Sequence, residues 1–225
     1  MPAPRHARIG FYTARPGDLD HVLERARDEV IPMLELEAGF RRYTIVRTDP
    51  DRLVSITGWD TNDEAQMAAR RLSAWVAEVI GETLVSVENH IAQVAHITEA
   101  SPTTPIYGRI AAFQFIPGMA EGLQEKVAAE LVPLFQQQPG FVRYVAFQTG
   151  PESAITFTAF ASQRESDTAA GAIRGWMEGN TAGEIVSAER HAGEVVWSIR
   201  RDEGAPGTDK GQEWGQDPTP ASHPA

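Results

Sequence analysis

The sequence predicts an α+β fold: two βαββαβ units in tandem, packed sheet to sheet as an intramolecular pseudo-dimeric α+β barrel. Three observations predict it. The chain matches itself at one fixed offset of 101 residues, each copy alternates strand and helix patterns in the same order, and the sheet face left bare by the helices stays apolar.

The self-match runs without a gap from residue 8 to about residue 98. Arg8-Ile9 falls on Arg109-Ile110, Pro16-Gly17 on Pro117-Gly118, Pro32 on Pro133, and Gly39-Phe40 on Gly140-Phe141. Trp75 falls on Trp176, and Ser86, Glu88 and His90 fall on Ser187, Glu189 and His191. Rare side chains keep register with the Gly and Pro punctuation, which is the mark of an internal repeat. The implied division is a first domain at 8–98, a linker at 99–106, a second domain at 107–200 and a tail at 201–225. Two prolines among small polar residues make the linker extended. The tail is rich in Gly, Pro and charge, with Trp214 its one large apolar residue, and it is expected to be disordered.

Within one unit, Arg8 to Thr13 reads as a strand, broken by Pro16-Gly17, with Asp18 placed to cap a helix. Leu19, Val22, Leu23, Ala26, Val30 and Leu34 recur at helical spacing, and Pro32 should kink or end that helix. Gly39 and Gly140 suit a helix-to-strand turn. Phe40 to Arg47 and Leu53 to Trp59 form a hairpin around Thr48 to Asp51. Thr61-Asn62-Asp63 starts a second helix, whose stripe is Ala65, Ala68, Ala69, Leu72, Trp75, Val76 and Val79. A fourth strand lies within Val85 to Ile97. The order β-α-β-β-α-β is the split βαβ, or ferredoxin-like, plan. Each helix has one stripe and covers one sheet face, so the second face (Ile45 and Val54 are examples) must be covered by the other copy. A further dimer of the whole chain stays open.

Composition narrows the function. A net charge of -11, with basic residues scattered, argues against nucleic acid as a partner and against anionic membranes. The strand order also occurs in RNA-binding modules, but no basic aromatic RNA-binding run is present. Cysteine is absent, which removes disulfides, thiolate chemistry and Cys-ligated metals. No apolar N-terminal stretch resembles a signal peptide, and no run approaches the roughly 20 apolar residues of a membrane span, so no membrane partner and a cytoplasmic location are expected. His90 and His96, six residues apart on one strand, would stand roughly 20 Å apart, and no metal site is expected.

The Gly-Phe pairs after the first helix (Ala38-Gly39-Phe40, Pro139-Gly140-Phe141) and the aromatics ending the third strand (Trp59, Phe160) make both units resemble the antibiotic biosynthesis monooxygenase-like family of the dimeric α+β barrel superfamily. The resemblance implies a cofactor-independent monooxygenase (an oxidoreductase with no cofactor) that binds a small aromatic or polyketide-like molecule in the cavity between the sheets. In such oxygenases a strand-three Trp, an Asn four residues before it and a Tyr on the next helix hold the substrate. Trp59 matches the Trp, whereas Ser55 and Ala65 stand at the other two positions; the second unit has Phe160, Thr156 and Ser166. Haem-degrading relatives use a strand-one Asn and a helix-two His, and both are missing here.

The candidate ligand-binding residues are therefore Trp59, Phe160, the equivalent tyrosines Tyr43 and Tyr144, and the equivalent histidines His90 and His191. A His can serve as a base, and a Tyr offers an apolar ring with a polar tip. Catalytic residues are not assigned. The alternative is a non-catalytic small-molecule-binding or assembly module of the same fold.

Overall fold

The computed structural model describes residues 3–100 and 103–201. Trp214 and the tail expected to be disordered lie outside the described residues, apart from Arg201. The first half runs β1 (His6–Ala14), α1 (residues 19–35), β2 (Phe40–Asp49), β3 (Arg52–Trp59), α2 (residues 62–80) and β4 (Leu84–Glu99). The second half repeats the order with β5 (Tyr107–Phe115), α3 (residues 120–136), β6 (Phe141–Gly150), β7 (Ser153–Phe160), α4 (Gln163–Asn180) and β8 (Ile185–Arg200).

All eight strands close into one antiparallel barrel in the order β1-β3-β2-β8-β5-β7-β6-β4. Four steps separate each strand from its counterpart, so counterparts run in the same direction and are related by a pseudo-twofold along the barrel axis. Closure depends on the two 16-residue strands. The first part of β4 pairs with β1 and its last part, Gln93 to Glu99, pairs with β6. β8 likewise passes from β5 to β2. The two sheets are thus joined by hydrogen bonds at both edges as well as by side-chain packing, which leaves no open edge.

Two apolar layers result. Inside the barrel Ile9, Val54 and Ile56 meet Ile110, Ile155 and Phe157. Each such side chain contributes about 1.5–3 kcal/mol by leaving water. Outside it, α1 and α2 cover a cluster containing Leu19, Leu34, Phe40 and Leu72. Val54 lies in the inner layer as expected. Ile45 lies in the outer one, because it pairs with Ser55 and shares that residue's face.

A π turn over Ala26–Val30 interrupts the regular ladder of α1 just before Pro32, and the helix ends three residues after the proline, at Glu35. Two local expectations change. Asp18 sits at the helix start, but its side chain makes no capping bond. Gly140 needs its positive φ of 68°, whereas Gly39 does not have one. Gly39 is required for space, since a Cβ there would collide with the Glu64 carboxylate. That carboxylate is fixed by a capping box with Thr61. No described helix is long and apolar enough to cross a membrane.

Candidate functional site

Strand parity decides which side chains meet. On β4 and β8 the residues Glu88, His90, Glu189 and His191 all face the barrel axis. They line a cavity of about 530 Å³ at the mouth that carries the β2–β3 and β6–β7 turns. The two histidines come from opposite sheets and converge on Phe11, whose ring centroid is 5.8 Å from that of His90 and 5.5 Å from that of His191. The counterpart of Phe11 is Ala112, so this position supplies one aromatic wall rather than two.

Each histidine has a carboxylate two residues before it, on the same face. His90 Nε2 lies 2.9 Å from Glu88 Oε1. His191 Nε2 lies 3.1 Å from Glu189 Oε1 but off the hydrogen-bond angle, and it has no hydrogen-bond partner among the described residues. Each contact becomes an ion pair when the imidazole is protonated, and a neutral imidazole keeps one ring nitrogen as a lone-pair base. The mouth therefore offers a base beside an aromatic surface.

The remaining four predicted residues lie elsewhere. Trp59 and Tyr43 are on the outer face of the first sheet, packed with Leu19, Val22 and Leu72 under the helices. Phe160 and Tyr144 do the same in the second, against Leu131 and Phe135. The expectation that these aromatics border one cavity with the histidines is corrected. Phe40 pairs with Trp59 and Tyr43 with Thr57, which fixes all of them on the helix side. Trp59 is 1% exposed, and its Nε1 donates to Thr57 Oγ1 at 2.9 Å. Burial raises the pKa of both tyrosines well above the usual phenol range. Both faces of each sheet are apolar, so alternation alone could not tell inner from outer. Phe11, Glu88 and Glu189 were not singled out from sequence, although Glu-x-His at equivalent positions of both halves placed acid and imidazole on one face.

The opposite mouth is built from charge. Arg42 pairs with Glu99 at 2.7 Å, and Arg143, 4% exposed, approaches the same carboxylate at 3.8 Å. Burial lowers the pKa of Arg42, with Glu99 opposing the shift. Arg143 also lies over the Phe157 ring, 5.2 Å from its centroid.

A closed eight-stranded antiparallel barrel with four outer helices and an axial mouth cavity defines this as a single-chain α+β barrel. Residues 5–77 match the model of the antibiotic biosynthesis monooxygenase family. Solved structures share the fold at low identity. A candidate monooxygenase of Lactobacillus acidophilus is 11% identical with a TM-score of 0.70, over 88% of this chain and 96% of its own. One from Fusobacterium nucleatum is 10% identical with a TM-score of 0.71, over 89% and 96%. An anthrone oxidase-like protein is 14% identical with a TM-score of 0.64, over 90% and 95%. No curated protein matches by sequence.

Proposed function

We propose that the chain is a cofactor-independent monooxygenase that binds a small aromatic or polyketide-like molecule in the inter-sheet cavity. The observation that carries this reading is the convergence of His90 and His191 on Phe11 within about 530 Å³. The family match of the first half supports it. Phe11 stacks on the substrate ring. The neutral imidazole of His90, beside Glu88, takes a proton from an activated methylene between aryl groups. The carbanion is then the reductant of dioxygen. Overall, one diaryl methylene and one dioxygen give one diaryl ketone and one water. The carbon loses four electrons, one oxygen atom enters the carbonyl, and the other leaves as water with both protons.

The test is oxygen uptake by the full chain with an anthrone as probe. Uptake above the protein-free rate, falling tenfold or more in a His90→Gln, His191→Gln double variant, is the expected result. Equal uptake by the double variant overturns the assignment. A specific observation favours a second reading, non-catalytic binding: Ser55 and Ala65 stand where the resembled oxygenases carry Asn and Tyr. On that reading the anthrone quenches protein fluorescence saturably, with no uptake.

A further inference from the structure

Arg8 lies on the outer face of β1, under the helices of the first half and away from the axial cavity. It is 1% exposed. Its guanidinium donates to Ser55 Oγ at 3.1 Å, to the Tyr12 hydroxyl and to Asn89 Oδ1. All three partners are neutral. Among the described residues no carboxylate forms an ion pair with it, and its Nε–H is buried without an acceptor. A buried cation without a counter-charge costs several kcal/mol, and an unmet buried donor adds to that cost.

The backbone is built to hold this group. Ser55 and Asn89 are both in register with Gly10, one from β3 and the other from β4. The guanidinium lies flat over Gly10: a Cβ there would stand 2.8 and 2.9 Å from its two Nη atoms. The side chain above it, Asn89, is exposed, so the guanidinium is one side chain away from solvent. The second half has no such group. Its counterpart, Arg109, reaches Ser166 Oγ at 2.6 Å and is neutralised by Asp167 at 2.6 Å. Tyr12, Ser55 and Asn89 are replaced there by Phe113, Thr156 and Arg190.

We infer that Arg8 forms an anion site for a small organic carboxylate, entered by displacing the amide oxygen of Asn89. The fork of an arginine binds a carboxylate along one edge through two parallel N–H donors. Here Nε–H has no acceptor, and Nη2 on the same edge is held by the exposed Asn89. Ser55 and Tyr12 hold the fork in place. The bound carboxylate supplies the counter-charge that the protein lacks. Arg8 itself does not line the histidine cavity, although Tyr12 does.

The test uses the full chain and sodium benzoate, with benzamide as its neutral isostere and sodium sulfate as an inorganic anion, read by calorimetry and thermal shift. Benzoate is expected to bind saturably and raise the Tm, while benzamide and sulfate do not. Asn89→Asp, an exposed change that gives Arg8 an internal partner, is expected to weaken benzoate at least tenfold while the free protein keeps or raises its Tm. Arg8→Met is expected to abolish binding. His90→Gln, His191→Gln should bind benzoate as the natural chain does, so failure of the oxygenase reading and failure of this one are separable. No benzoate binding, undiminished binding by Asn89→Asp, or equal binding of sulfate would overturn the carboxylate site.

Discussion

Arg8 and Arg109 occupy the same position in the two halves and meet different fates. Arg8 lies flat on Gly10 among neutral partners; Arg109 extends to α4 and pairs with Asp167. Ser166 and Asp167, the partners of Arg109, stand where the first half has Ala65 and Gln66, and a methyl group adds to the difference. The counterpart of Gly10 is Ala111, whose Cβ takes the space that a guanidinium would need. The inner layer shows the reverse trade, with Phe11 facing Ala112 across the axis while Ile56 faces Phe157. Two halves of one barrel can share every element and still divide the labour, because a chemically distinct site needs only a few changed side chains on an unchanged backbone.

The largest expected effect tests the outer layer. Trp59→Ala should cost about 3–5 kcal/mol in urea unfolding, through lost burial and a cavity under the helices. Trp59→Phe, which gives the first half the residue of the second, should cost only about 1 kcal/mol, the worth of the bond to Thr57. A Trp59→Ala cost near that of Trp59→Phe would show that Trp59 does not stand in a packed core.

The seams differ next. Gly193 on β8 faces Arg47 across the β2–β8 seam, and a Cβ there would overlap the Arg47 carbonyl. Its counterpart in the other seam, Ala92, already carries a methyl and is buried. Gly193→Ala should therefore destabilise by about 1–3 kcal/mol, since the clash is with backbone that cannot rotate away. An unchanged Tm would mean that the two seams are equally loose.

Gly10→Ala should cost about 1–2 kcal/mol, because a Cβ there meets the buried Tyr12 ring as well as the end of the Arg8 side chain. Its signature is a relocated guanidinium: the Arg8 Nε–H resonance should move and gain solvent exchange. Retention of the natural signal would break the explanation of why Arg8 and Arg109 diverge.

Much of this architecture was legible in the sequence. The offset of 101 residues, the hairpin turns and the helix stripes implied the element order, and an apolar face with no helix to cover it required a second sheet. Edge closure was not legible, because β4 and β8 alternate weakly and nothing in Gln93 to Glu99 says that its partner is β6. The candidate site was half legible. His90 and His191 do line one cavity, but Trp59, Tyr43, Tyr144 and Phe160 belong to the other face. A strand buried on both sides gives no polar alternation from which to read parity. Arg8 was invisible as a site, because a lone strand arginine reads as surface until Gly10, Ser55 and Asn89 are seen in one row.

The smallest expected effect concerns pH and again separates the halves. His96 on β4 has Trp197 as its counterpart on β8, so only one of the two long strands titrates there. Burial lowers the His96 pKa below the ordinary histidine value of 6.5, and the ring nitrogen Nε2 meets Thr98 Oγ1 at 2.7 Å. A base whose folded pKa is depressed binds its proton more readily in the unfolded chain. Its contribution to stability is thus complete above about pH 6.5 and is lost as pH falls through the folded value. His96→Gln should flatten the fall in Tm across that acid window and leave the Tm at pH 8 nearly unchanged. If the slope is the same with and without His96, its ring is solvated like any surface histidine and the β4–β6 seam is open to water at that point.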